Sequence, residues 1–145
     1  MGEPGQAEPV EEWVADAVRS ARVARLGTVD ADGAVRLVPV CFALVDAWLV
    51  SAVDHKPKRT GQLRRLDDMR ASGSATVLID QYDEDWSQLW WIRVRGSAEV
   101  LTAGVERDTA LDALVAKYAQ YREQRPAGAV WRVAIDELRW WRAAG

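Results

Sequence analysis

From Gln88 to Leu101 apolar and polar residues alternate at a period of two, the spacing of a strand rather than a helix. Trp90, Ile92 and Val94 fall on one face, continued by Ala98 and Val100 beyond Gly96. Leu89, Trp91, Arg93, Arg95 and Ser97 fall on the other. The first face is core. The second mixes an indole with two arginines, which suits a subunit interface or the wall of an aromatic-ligand pocket, unless Trp91 packs beneath a helix. Tryptophan is abundant throughout, with 8 Trp against 1 Phe.

Around this strand the chain reads as further strands joined by short turns. Residues 1–8 form a loose tail, and residues 9–145 form one domain. Val10, Trp13, Val14, Ala17, Val18 and Ala21 follow helical spacing, with Pro9 near the first turn. Val23 to Val29 is a strand, and Asp30-Ala31-Asp32-Gly33 is a turn. Ala34 to Leu44 and Ala47 to Val53 are strands joined at Val45-Asp46. A short helix runs from about Thr60 to Arg70 and ends at Ser72-Gly73, before a strand from Ala75 to Asp80. Gln81 to Ser87 is an acidic loop. An amphipathic helix lies between about Gly104 and Glu123, marked by Leu111, Leu114, Val115 and Tyr118 and stopped by Pro126 and Gly128. The last strand runs from Ala129 to about Arg142. About six strands with few helices predict a mainly β (α+β) domain, a small antiparallel barrel with peripheral helices.

At 145 residues the chain is long enough for one domain with a real core. Its net charge of −3 argues against non-specific nucleic-acid binding. The acidic start lacks the basic and apolar runs of a signal peptide, and the single cysteine, Cys41, fits a reducing cytoplasm. Val35 to Val53 is interrupted by Arg36, Pro39 and Asp46, so it reads as a hairpin and no membrane span is expected.

The exit of the third strand concentrates positive charge. WLVSAVDHKPKRTGQLRRL, Trp48 to Leu66, leaves an apolar strand through Lys56, Lys58 and Arg59 and enters a helix at Thr60, with Arg64 and Arg65 behind. A helix start offers free N–H groups, and the cations add whole charges, which suits the phosphate of a cofactor. A solvated basic loop is the other reading.

Other chemistries lack their parts. Neither GxGxxG nor GxxxxGK[ST] is present. His55 and Cys41 are single, so no His/Cys zinc site can be assembled within one chain. A hydrolytic triad would have to use His55 and has no nucleophile elbow. Counting an EF-hand from Asp83 places Gln88 where Gly is required and Val94 where Glu belongs.

DHKPKRTGQLRRL and LIDQYDEDWSQLWWIRVRG, with DGAVRLVPVCF upstream, resemble the pyridoxamine-5′-phosphate-oxidase-like split β-barrel superfamily. Within it, the chain is similar to the group that uses the deazaflavin coenzyme F-420 instead of FMN. The likeness covers roughly Val10 to Trp141. It implies a six-stranded split barrel of the FMN-binding type and a homodimer with cofactor sites at the subunit interface. It also implies a cytoplasmic oxidoreductase that transfers a hydride from reduced F-420 to a small organic acceptor. By the same resemblance, Lys56, Lys58 and Arg59 hold the cofactor phosphate, with Ser51 and Thr60 beside them. Val38, Pro39 and Val40 lie along the ring, and Trp86, Trp90 and Arg93 sit near the ring or the partner subunit. The RxVLLK-type run by which true pyridoxamine-phosphate oxidases hold FMN is missing. Its Arg and Lys positions fall here on Val38 and Ala43, which cannot donate to a phosphate. FMN is the alternative cofactor, and a non-catalytic flavin or deazaflavin binder is the alternative function. No proton donor is nominated by the sequence.

Overall fold

The computed structural model describes residues 10–53 and 59–144. Among the described residues eight strands form an antiparallel sheet, where the sequence predicts about six. Helix α1 (Glu12–Ser20) precedes β1 (Ala24–Val29) and β2 (Val35–Val40). β3 (Ala43–Val45) and β4 (Trp48–Ala52) form a hairpin, followed by α2 (Arg59–Ser72), β5 (Ser74–Gln81) and a single 3-10 turn, Trp86–Gln88. The long β6 (Trp90–Leu101) leads to α3 (Val105–Lys117) and α4 (Ala119–Glu123), then β7 (Val130–Ala134) and β8 (Glu137–Arg142). The ladder order is β2-β1-β5-β6-β7-β4-β3, and β8 pairs with β6 off this path.

Both extra strands come from runs that the sequence suggests are continuous. Ala34–Leu44 is interrupted at Cys41–Phe42, because β2 pairs with β1 whereas β3 pairs with β4. The run to Arg142 is interrupted at Ile135–Asp136. Trp131 and Val133 are buried on odd positions and Leu138 and Trp140 on even ones, so the alternation slips by one residue at the break.

β6 makes this arrangement possible. β5 pairs along one edge, while β8 takes Trp90–Arg95 and β7 takes Ala98–Leu101 on the other. Between those two partners the chain crosses Gly96 so closely that a Cβ there would overlap the Ala134 carbonyl oxygen and lie 2.9 Å from Asp136 Oδ2. Asp136 Oδ2 accepts the Ser97 amide at 3.0 Å, which ties down the crossing.

The main core gathers Leu26, Phe42, Leu49, Ile79, Ile92 and Trp131 between the strands and α1. A second cluster, Ala43, Val50, Ala52, Leu111, Leu114 and Val130, lies under α3. β4 serves both clusters, which explains why Leu49 to Ala52 are all buried. α2 is tied to β1 and β2 through Asp68, a buried carboxylate. Asp68 Oδ2 accepts Thr28 Oγ1 at 2.8 Å and Arg36 Nε at 3.0 Å. The Arg36 hydrogen bond holds the Asp68 carboxyl below its ordinary range against the opposing effect of burial.

Gly96→Ala is expected to abolish the folded state at 25 °C, seen as loss of near-UV circular dichroism, because the clash is with backbone. Asp68→Ala should lower stability at pH 7 by about 1.5–3 kcal/mol in urea unfolding, the range for hydrogen bonds to charged groups. The depressed carboxyl contributes fully above about pH 4 and loses its contribution as the pH falls further, so the variant should also show a shallower acid loss.

Candidate functional site

A cavity of about 470 Å³ opens where the ends of β2 and β4 meet α2 and α4. Pro39, Val40 and Cys41 form one wall, Ser51 and Ala52 another, and Arg65 of α2 a third. Val23, Tyr118, Gln120, Tyr121 and Gln124 complete it. Its size lies within the roughly 300–1,000 Å³ typical of small-molecule sites. Its lining mixes aliphatic surface with a guanidinium, hydroxyls and amides, which fits a flat ring bearing polar edges.

The Cys41–Phe42 corner, which borders the cavity through Cys41, is held by no strand ladder. Side chains hold it instead. Ser51 Oγ donates to the Cys41 carbonyl at 2.6 Å. The Phe42 amide donates to the Tyr118 hydroxyl at 3.1 Å, and Lys117 Nζ donates to the Phe42 carbonyl at 2.9 Å. Tyr118 has the Arg22 carbonyl at 2.9 Å and the Phe42 carbonyl at 3.1 Å as acceptors for its one proton. These groups converge because the chain leaves the helical region at Tyr118 (φ −115, ψ 120), ending α3 and starting α4. The sequence suggests one helix through this point.

Electrostatics follow from the packing. Burial pushes Lys117 down to about 8, reinforced by the nearby Arg22 charge and opposed by Cys41. Burial also raises the Tyr118 hydroxyl above its ordinary value.

Of the residues predicted from sequence, Pro39, Val40 and Ser51 line this cavity. Val38, on the same strand, packs instead against the main core. Lys56 and Lys58 lie outside the described residues, and Arg59 and Thr60 open α2. Ser51 spends its proton on Cys41, so in this arrangement it positions the corner and does not donate to a ligand. Trp90 packs edge-on against Trp13 with ring centres 6.0 Å apart. Trp86 is 68% exposed on the 3-10 turn, and its indole N–H donates to Tyr82 at 3.4 Å. Arg93 lies on the outer sheet face, 5.2 Å from the Trp91 ring centre, beside a second hollow of about 360 Å³. These three do not reach the first cavity within one chain. Sequence reasoning missed Cys41, Arg65 and Tyr118 as lining residues. Among the described residues no three His, Cys, Asp or Glu side chains converge as metal ligands. No described helix is long and apolar enough to cross a membrane.

The sequence family described as pyridoxamine 5′-phosphate oxidase matches residues 10–142. The chain belongs to this pyridoxamine 5′-phosphate oxidase family. No curated protein matches the sequence. Several solved structures share the fold of the family. A conserved hypothetical protein from Mycobacterium tuberculosis superposes with a TM-score of 0.75 at 17% identity, covering 98% of this chain and 90% of that one. An FAD-binding protein from Mesorhizobium loti gives 0.67 at 18% identity, covering 88% and 89%. HutZ, the heme storage protein from Vibrio cholerae, gives 0.70 at 11% identity, covering 93% and 95%. Members of one fold thus carry different ligands, and the cavity's own residues must decide between them.

Ser51→Ala should destabilise the protein by about 1 kcal/mol in urea unfolding, the typical worth of a neutral hydrogen bond, by releasing the Cys41 carbonyl.

Proposed function

We propose that this protein is a dimeric oxidoreductase in which the cavity between β2, β4, α2 and α4 receives the deazaflavin coenzyme F-420, and reduced F-420 delivers a hydride to a small organic acceptor. The observation that carries this reading is the cavity itself. It is lined by the β2 residues Pro39 and Val40, flanked by Arg65, and sits where β4 leaves toward the basic turn. The bound cofactor would supply the hydride chemistry. The protein's residues bind it, orient it and keep water away. Lys56, Lys58 and Arg59 are assigned to the phosphate, and Val38 to Val40 to the ring face. Trp86, Trp90 and Arg93 are assigned to the contact with a second copy. FMN in the same cavity is the competing cofactor, disfavoured because Val38 and Ala43 offer no phosphate donor.

A second copy is supported by the outer sheet face. There Val29, Val35 and Leu37 are 45%, 66% and 71% exposed, side by side across the β1–β2 ladder and next to Leu78 of β5. Contiguous exposed apolar surface of this kind marks interaction sites. A second reading, non-catalytic carriage of a flavin-like molecule, is favoured by the commitment of the Ser51 and Tyr118 protons to backbone carbonyls. Neither hydroxyl stands ready to protonate an acceptor.

Separate titrations with F-420 and FMN, followed by tryptophan quenching, test the assignment. F-420 should bind more tightly, and its reduced form should be oxidised in the presence of an acceptor panel. Tighter FMN binding would overturn the deazaflavin, and binding without turnover would favour the carrier. Lys56→Ala with Lys58→Ala should weaken binding by about 2–4 kcal/mol if each ammonium makes a charge-assisted contact. Unchanged affinity would move the phosphate elsewhere.

A further inference from the structure

Beside the cavity the structure holds a pair of cations that the sequence pattern hides. Arg22 and Lys117 flank the Tyr118 ring, with the Arg22 Cζ 5.3 Å and the Lys117 Nζ 5.4 Å from its centre. Lys117 also lies 3.9 Å over the Phe42 ring, and Arg22 donates to the Lys117 carbonyl at 2.9 Å. Among the described residues neither cation has a carboxylate within 4.0 Å. The titratable and charged groups facing Lys117 are Arg22 from the approach to β1, Cys41 from the β2–β3 corner, and Tyr118 beside it. Cys41 and Tyr118 themselves line the cavity.

Two positive charges held close together without a counter-ion cost stability, more so when one is half-buried. Tyr118 has one proton for the Arg22 and Phe42 carbonyls, so Lys117 supplies the Phe42 carbonyl whenever that proton goes to Arg22. The Lys117 and Phe42 carbonyls that the pair serves could each be served by a neutral donor, so what the pair adds to these bonds is positive potential behind the corner.

We propose that Arg22, Tyr118 and Lys117 form a cationic clamp that fixes the Cys41–Phe42 corner and makes the cavity select an anionic ligand, with Lys117 as its specificity-determining positioning residue. This rests on the assignment of the cavity to a flavin-like cofactor and adds to it the charge class that the corner end recognises: an anionic group in addition to the phosphate at the basic turn. Binding is then strongest while Lys117 is protonated and weakens as pH rises through about 8. The stability effect has the opposite sign. The unfolded chain holds this proton more tightly than the folded one, so the folded state gains stability as pH rises from about 8 toward the ordinary lysine range.

The test uses Lys117→Met, Lys117→Arg, Tyr118→Phe and Cys41→Ser in the full chain, titrated with F-420 and with FMN at pH 6.5 and 9.5 alongside thermal melting. Wild type should bind about tenfold more weakly at the higher pH, and Lys117→Met about tenfold more weakly at pH 6.5 without further dependence on pH. The melting temperature of Lys117→Met at pH 7 should be unchanged or raised. Lys117→Arg should restore affinity and remove the pH dependence, and Cys41→Ser should keep it. Lys117→Met that melts lower yet binds as wild type would overturn the clamp as a specificity device. If wild type binds neither chromophore at either pH, the cofactor assignment fails, and the clamp is then read from hydrogen exchange of the free protein. Loss of Phe42 amide protection in Tyr118→Phe supports the clamp, and unchanged protection overturns it.

Discussion

One strand edge is shared by two ladders, and a single missing side chain permits it. β6 can hand its edge from β8 to β7 only because the backbone near Ala134 presses onto Gly96, leaving no room for even a methyl group. Everything on the β7 side, including β4, β3 and the cluster under α3, is placed by that hand-over. The cavity inherits its position in turn, since β4 supplies Ser51 and Ala52. A backbone approach outside the cavity lining therefore decides where that lining stands.

The corner beside the cavity follows a different rule. Sheet hydrogen bonds cannot hold the Cys41–Phe42 corner, because the chain there is leaving one ladder for another. Ser51, Lys117 and Tyr118 supply the missing bonds from β4 and from the break between α3 and α4. Local polar side chains replacing a ladder leave a rigid, irregular surface of the sort on which binding sites are built. The Thr28–Asp68–Arg36 tie gives α2 the same kind of anchorage on the other side, so Arg65 is presented from a helix fastened to the sheet.

Much of this was legible in the residues and some was not. The alternation from Trp90 to Val100 locates β6 and its inward face, and Val14 and Val18 mark the buried side of α1. Family resemblance assigns Pro39, Val40 and Ser51 to a cofactor site, and the fold brings the three to one cavity. The two strand breaks were harder to see. Cys41 and Phe42 look like any apolar pair, and what ends β2 is a change of partner, which is a tertiary event. The slip between Val133 and Leu138 was present as a phase reversal, but aromatic and aliphatic residues on both phases mask it. Tyr118 fits the apolar stripe of a continuous helix, so its role at the break is invisible to periodicity. Arg65 reads as one more surface cation until α2 is docked. The placement of Trp86, Trp90 and Arg93 depends on surfaces beyond one chain's cavity, which no spacing rule reaches.

The spread of indoles has a spectroscopic consequence. Trp131 is wholly enclosed, whereas Trp86 stands on an exposed turn beside Tyr82. Trp48 and Trp13 each carry a guanidinium over the ring, from Arg132 at 3.8 Å and Arg142 at 4.7 Å. Emission from the native protein is therefore a sum of dry and wet fluorophores. Its blue component reports on the interior and its red component on the β5–β6 connection, so loosening of that loop and melting of the core would register as separate colours.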